Sequence, residues 1–309
     1  MKVLITGVNG FFGLKLAKHL SSKNIEIHGV GLNKYCQVDN IHYHKIDISN
    51  PNNIDHIIED CDIIYHFAAI TSHDAIVSNP ELAKKVNIDS TKILLDSIEK
   101  QKKSILFIYA SSGKIYGDYD SLPILETCKP QPMNILGTIK RQTEEYIDSR
   151  SNDKDTFVIL RIFNVYGPGQ KESFLIPTIL KQLLPHSIKN TEAIIQLGNI
   201  YDKRDYIHIN DLVKLFSKFN PSMHYEKGTN YYNVGSNKSI DPYSIVKMLE
   251  DILKIKIIVN INKSKLRNDE RNDEYCSNEK ISKLLNWSPE VNLEAGLKSC
   301  ISYFSNEYK

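Results

Sequence analysis

The chain has 309 residues, 41% of them hydrophobic and 25% charged, enough for one large core or two lobes, and nothing in its composition is collagenous, disordered or built from repeats. Lys and Arg number 39 against 37 Asp and Glu, a formal charge of +2, which excludes broad attraction for nucleic acid or anionic lipid and leaves anion binding to a few well-placed cations. No apolar stretch approaches a membrane span and the first residues read as a strand, so a cytoplasmic protein is expected.

Residues 3–6 are an apolar β-type run that breaks at Gly7, Gly10 and Gly13 and resumes with helical spacing at Leu14, Leu16, Ala17 and Leu20. This is the sequence form of a strand entering a dinucleotide-binding turn. Gly7 lets the chain turn tightly and Gly10 lets backbone N–H groups approach a pyrophosphate. Gly13 lets the helix pack close to the strand, with Phe11 and Phe12 between them in sequence. A second strand over 25–30 exits into Gly31-Leu32-Asn33-Lys34. An acid there would bind a ribose diol and an arginine would welcome a 2′-phosphate. With neither present, Asn33 is expected on a ribose hydroxyl, favouring NAD and leaving NADP open.

A third strand over 43–48 brings Asp47 and Ile48 to the expected adenine edge. His42 and His44 share one face of it, but no further ligand cluster accompanies them in the sequence, so no metal site is expected. The five cysteines are scattered without a C-x-x-C pair and read as reduced thiols. A strand over 62–69, an amphipathic helix over 80–100, a strand over 105–110 ending at Ser111 and Ser112, a helix over 137–150 and a strand over 156–161 complete a β-α alternation. Such alternation predicts an α/β, Rossmann-type doubly wound parallel sheet, with ligands beyond the carboxyl ends of its strands. After Gly167-Pro168-Gly169 the pattern loosens, with short strands at 193–197 and 256–260. A dinucleotide-binding domain over 1–165 and a smaller C-terminal α/β substrate lobe over 166–309 are expected, part of 200–220 packing back on the first.

The ordered motifs resemble the extended short-chain dehydrogenase/reductases that act on nucleotide sugars, over nearly the whole chain. Thr6-Gly7-x-x-Gly10-Phe11-x-Gly13 is similar to that family's cofactor signature, and Asp62 to Ala69 to its D-x-x-x-H-x-A-A strand. Asn87 falls in its V-N-x-x-S/T pattern. Ala110 to Gly117 is similar to the S-S-x-x-V-Y-G element, and Arg161 to Gln170 to R-x-x-N-V-Y-G-P-G-Q. Leu197-Gly198-Asn199 with Lys203-Arg204-Asp205-Tyr206 is similar to the L-G-N-x-x-x-K-R-D-W segment of GDP-mannose 4,6-dehydratases. Residues 267–270 with 282–289 are similar to the family's tail.

The resemblance implies that Phe67, Ala68, Ala69, Asn87 and Lys140 join the glycine turn around the cofactor. It implies that Ser72, His73, Ser112, Asn164, Gln170, Phe174, Arg204 and Arg267 line a nucleoside-diphosphate sugar, GDP-linked by preference, with the two arginines meeting the diphosphate. It also implies a homodimer or larger homo-oligomer, through helices near 80–100 and 137–150.

One residue departs from the pattern. Residues 132–140 align with the family's P-M-N-P-Y-G-x-S-K, which keeps the lysine as Lys140 but puts Leu136 where the tyrosine that moves the hydroxyl proton belongs. Three accounts follow: slow hydride transfer with the proton passing through water or Lys140, a substitute base among Tyr116, His73 and Tyr206, or a non-catalytic cofactor-binding subunit. Dehydration is disfavoured, because Gly113 and Lys114 stand where sugar-nucleotide dehydratases carry an Asp-Glu pair. The expected reaction is NAD(P)-dependent oxidation or reduction of one sugar carbinol, at C4, with epimerisation as the alternative.

Overall fold

The computed structural model of the protein describes residues 1–50, 54–117, 119, 121–226, 228–266 and 272–306. Arg267 lies outside them. Thirteen strands are present among the described residues: β1 (Lys2–Thr6), β2 (Glu26–Gly31), β3 (His42–Lys45), β4 (Ile63–His66), β5 (Leu106–Ser112), β6 (Thr156–Ile162), β7 (Asn164–Tyr166), β8 (Ala193–Leu197), β9 (Lys203–His208), β10 (Thr229–Val234), β11 (Ser239–Ile240), β12 (Ile257–Ile261) and β13 (Asp273–Glu274). Seven form one sheet in the order β10-β6-β5-β4-β1-β2-β3, every pairing parallel.

Period-2 alternation divides the strand residues between two cores. On one face Val3, Ile5, Ile63, Tyr65, Ile108 and Leu160 pack against the helix Phe11–Ser21 and the helix Ile209–Phe216. On the other, Leu4, Ile64, Phe107 and Ile159 pack against the helix Ser90–Glu99 and the helix Ile135–Ser149. Helices on both faces make the sheet doubly wound, as the β-α alternation requires. The strand order reverses between β1 and β4, and the crevice at that switch point is where such sheets bind ligands.

A separate core joins β8 and β12 to the helices Leu175–Lys189, Pro242–Leu253 and Leu293–Ser305. Between the two lies a small sheet in the order β11-β9-β13, with β7 also on β9. The helix Ile209–Phe216 belongs to the first core, where the Tyr65 hydroxyl donates to the Phe216 carbonyl at 2.7 Å.

Three elements differ from the sequence pattern. β3 ends at Lys45 rather than running to residue 48, because the Asp47 carboxylate takes the Ser49 N–H at 2.9 Å and its hydroxyl at 2.7 Å into a local turn. The helix expected over 80–100 is interrupted by a π-helical turn, Lys85–Asp89, which carries Asn87 inward. The seventh strand of the main sheet, β10, returns from deep in the second half of the chain to form its edge beside β6, and nothing local in Thr229-Asn230-Tyr231-Tyr232-Asn233-Val234 assigns it to that sheet.

At Gly13 a Cβ would lie 2.4 Å from the Gly7 carbonyl oxygen and 2.8 Å from Val8 Cα, both backbone atoms that cannot rotate away. Gly13→Ala therefore forces the first helix off β1, and a loss of about 1–3 kcal/mol or more is expected from overpacking. An urea-unfolding midpoint unchanged by that substitution would contradict the packing.

Candidate functional site

The turn after β1 is built from backbone. Gly7 has φ +66° and its missing Cβ would meet Ala68 N at 2.8 Å, so the exits of β1 and β4 touch main chain to main chain. Gly10 donates to the Gly7 carbonyl at 2.8 Å and caps the first helix with no side-chain hydrogen bond and no acid in its first turn. A Cβ on exposed Gly10 would meet only the Gly7 carbonyl at close range. The result is an uncapped positive helix end with glycine beside it, which fits a dinucleotide diphosphate. Phe11 and Phe12 are half-buried against the first core, Phe12 edge-on to Phe67 at 5.9 Å. Asn9 ties this turn to the loop after β2 through the Tyr35 carbonyl (3.1 Å) and Tyr43. That leaves Asn33 exposed at the carboxyl end of β2, with its carbonyl accepting from the Tyr43 hydroxyl at 2.6 Å. Asp47 is exposed on the same rim, its carboxyl held below the usual range by the Ser49 hydrogen bonds, and Ile48 beneath it is buried.

Below the rim a chain of hydrogen bonds fixes the stretch from Phe67 to Ala69. Thr91 donates its hydroxyl proton to the Asn87 carbonyl (2.9 Å), so His66 Nε2 must donate to Thr91 Oγ1 (2.9 Å), and Nδ1 must accept from Thr6 Oγ1 (2.8 Å). The Thr6 oxygen then accepts the N–H groups of Phe67 and Ala68, each at 3.1 Å. Burial pushes His66 down to about 3, which keeps the ring neutral as this relay needs. Asn87 pairs both ways with Ile70, accepting its N–H at 2.7 Å and donating to its carbonyl at 2.9 Å. Thr91 carries no motif label in the sequence; its one signal is being four residues after Asn87, a helical turn away.

The carboxyl end of β5 holds the reactive-looking groups. Lys140, on the helix Ile135–Ser149, is buried and donates to the Ala110 carbonyl at 2.6 Å, with the Tyr109 ring face 4.5 Å from its ammonium. Burial pulls Lys140 down to about 8, Glu144 opposing the shift. Ser112, two residues beyond Ala110, is half-buried and accepts the Lys114 N–H at 3.2 Å. Leu136, one turn before Lys140, packs in a small apolar cluster with Ile70, Ile135 and Ile139 and has no group to titrate.

Glu144, a turn beyond Lys140, forms a buried pair with Arg161 (2.8 Å) and accepts from the Ser111 hydroxyl. Arg161 also donates to Tyr116 Oη at 2.9 Å, and that hydroxyl donates to Asn233 Oδ1 at 2.6 Å. Tyr116 is thus fully engaged, and burial pushes its phenol up rather than down. Neither Glu144 nor Asn233 was legible as part of the site, because the partner of Glu144 lies on β6 and that of Asn233, Tyr116, follows β5, more than a hundred residues earlier in the chain.

The remaining expected residues lie on other elements. Ser72 precedes the short helix His73–Ser78, and His73 faces the Asp74 carboxylate at 3.4 Å. Asn164 donates to the Asp205 carbonyl at 3.2 Å, and buried Gln170 donates to the Val165 carbonyl at 2.6 Å. Phe174 is exposed at the start of the helix Leu175–Lys189. Arg204 is buried beside Asp202 (3.6 Å) and Glu274 (3.8 Å) and donates to the Lys203 carbonyl at 2.8 Å. Next to it, buried Asp205 accepts from Ser236 N (2.6 Å) and Oγ (2.7 Å), Asn237 N (3.3 Å) and Cys276 N (3.4 Å), tying three segments together. Its burial raises the carboxyl to about 6.

Comparison with known proteins bears on this arrangement. The family model for GDP-mannose 4,6 dehydratase matches residues 4–300. The chain belongs to that family. The GDP-6-deoxy-D-mannose reductase of Pseudomonas aeruginosa is 23% identical over 305 residues, 97% of this chain and 96% of that protein. The GDP-6-deoxy-D-talose 4-dehydrogenase of Aggregatibacter actinomycetemcomitans is 29% identical over 226 residues, 71% of each chain. A UDP-glucuronic acid 4-epimerase from Bacillus cereus, in complex with UDP-glucuronic acid and NAD, superposes with a TM-score of 0.84 at 23% identity and covers both chains completely. The family is one of nucleotide-sugar dehydratases, epimerases and reductases. Among the described residues no helix is long and apolar enough to cross a membrane.

Breaking a buried ion pair leaves one charge uncompensated at a cost of about 3–5 kcal/mol. Glu144→Gln is expected to lose stability in that range, and Glu144→Gln with Arg161→Met to recover part of it. Denaturant titration of the single and double variants checks this; equal losses for both would contradict the pairing.

Proposed function

We propose that the protein oxidises or reduces one carbinol carbon, C4, of a nucleoside-diphosphate sugar, GDP-linked by preference, with a nicotinamide dinucleotide, NAD ahead of NADP, as its cofactor. Supporting the cofactor assignment are the glycine cradle after β1, its contact with Ala68 and the uncapped end of the first helix. When bound, the nicotinamide supplies the hydride acceptor or donor. Gly7, Gly10 and Gly13 would hold its diphosphate, with Asn33, Asp47 and Ile48 along the adenosine side and Asn87 behind Ala68 and Ala69. The named activities of the two GDP-sugar relatives and the Lys203-Arg204-Asp205 segment favour a GDP-linked sugar over other nucleotides. Ser72, Asn164, Gln170, Phe174 and Arg204 are assigned to that substrate, and Arg267, outside the described residues, is assigned to it by its place in the sequence.

The observation that carries the reaction is Lys140. In the family pattern a tyrosine moves the proton; here Leu136 offers a hydrocarbon, and Tyr116 is committed to Arg161 and Asn233. Lys140 donates to the Ala110 carbonyl, two residues before Ser112 on β5, and its value of about 8 lets it give or take a proton near neutral pH. Ser112 orients the reacting oxygen, Lys140 holds the proton that leaves or joins it, and the apolar wall of Leu136 and Ile70 limits entry of water. Dehydration needs a carboxylic acid after Ser112. Instead, a Cβ at Gly113 would lie 2.9 Å from the Phe163 ring, and Lys114 is paired with Glu274 at 2.8 Å. Leu136 also favours a second reading, a cofactor-binding subunit without turnover.

With Lys140 as the acceptor, sugar oxidation needs its neutral form, so kcat for oxidation rises with pH through about 8 and then levels. Reduction needs the ammonium and falls across the same window. Lys140→Arg should erase both inflections, since a guanidinium does not titrate there; inflections that survive would reject the assignment. Leu136→Tyr should raise kcat on the order of 10²-fold by restoring a phenol, as general acid–base help does. An unchanged rate would mean a substitute base is already at work, and no turnover in either protein would favour the non-catalytic reading.

A further inference from the structure

The edge of the main sheet farthest from β10 carries a cluster that the proposed reaction does not use. β2 and β3 pair in parallel with His28 opposite His42, and Glu26, His28, His42 and His44 all alternate onto the same face. One ligand atom from each of Glu26, His28 and His42 lies within 4.8 Å of the others. The His28 ring stacks on His42 at 4.8 Å between centroids and on His44 at 5.2 Å. His28 Nε2 is 2.8 Å from Glu26 Oε1 and its Nδ1 is 3.0 Å from His44 Nε2.

We propose that Glu26, His28 and His42 form a binding site for a divalent transition-metal ion of the zinc type, with His44 as the group that positions His28. Two imidazoles and one carboxylate are the donor set of borderline ions, not of magnesium or calcium, which take oxygen ligands. Donors about 2.1 Å from a tetrahedral ion are ~3.4 Å apart. The exposed Glu26 and His42 side chains close that gap by rotation, while His28 on the strand stays fixed. A ligating imidazole needs its other nitrogen held by a hydrogen bond, and His44 Nε2 accepting from His28 Nδ1 supplies one, leaving Nε2 bare toward Glu26 and His42. Solvent completes the coordination on the open side. The Lys2 ammonium, bonded to the Glu59 carbonyl at 2.6 Å, is near enough to act against the ion, so the site discriminates by ligand type rather than by net charge. The ion would clip the edge strand β3, four residues long, to β2.

The test is calorimetric titration of the tag-free full chain with Zn²⁺ and, separately, Mg²⁺, together with hydrogen exchange at the β3 amides. One Zn²⁺ per chain, no Mg²⁺ and slower exchange over residues 42–45 are expected. His42→Ala, at an exposed position, should abolish binding without changing the zinc-free melting temperature, and His44→Ala should weaken it 10- to 100-fold by freeing the ring it positions. Absence of zinc binding in the wild-type chain, or full-strength binding in His42→Ala, overturns the proposal.

Discussion

A single buried ammonium constrains the middle of this fold. Lys140 has left water entirely, and an unpaired charge so placed would cost several kcal/mol. Three features compensate: the Ala110 carbonyl at 2.6 Å, the Tyr109 ring face at 4.5 Å and Glu144 a helical turn away. Each sits on β5 or on the same helix, so satisfying the charge locks the helix Ile135–Ser149 to the carboxyl end of β5. That lock brings Leu136 and Ser112 to one rim. Glu144 in turn binds Arg161 and Ser111, carrying the constraint to β6, and Arg161 passes it through Tyr116 to Asn233 on β10. The last strand of the sheet is thereby wired to the first catalytic candidate.

The opposite half of the rim depends on backbone instead. Gly7, Gly13 and Ala68 approach so closely that no side chain could intervene, and the Thr6-His66-Thr91 relay holds that approach in one tautomer. The switch point of the sheet, between β1 and β4, lies within this half. A rigid backbone cradle on one side and a titratable lysine on the other are what positioning plus proton transfer require.

Much of this was legible in the chain. The glycine spacing, the apolar strands and the ordered motifs point to the doubly wound sheet and to its β1 turn, because each rests on local periodicity or local φ demands. Lys140 and Leu136 were visible as a helical pair, yet the lysine's depressed value arises from burial against β5, which no local pattern encodes. β10 was missed because its partner β6 lies far back in the chain. The histidine cluster escaped for the same reason: His42 and His44 look isolated until β2 lays Glu26 and His28 beside them. Asp47 shortened β3 through a two-residue side-chain turn, a competition that β propensity does not register.

The account's central claim is that a sugar hydroxyl loses its proton toward Lys140 as its hydride departs. A single-turnover mixing of excess chain and NAD(P)⁺ with GDP-6-deoxy-D-mannose, followed by the near-ultraviolet band of reduced nicotinamide, tests it most directly. The account predicts that the band grows to match the sugar added and disappears in Lys140→Met, while dinucleotide binding persists. A band of equal size and rate in Lys140→Met would contradict it.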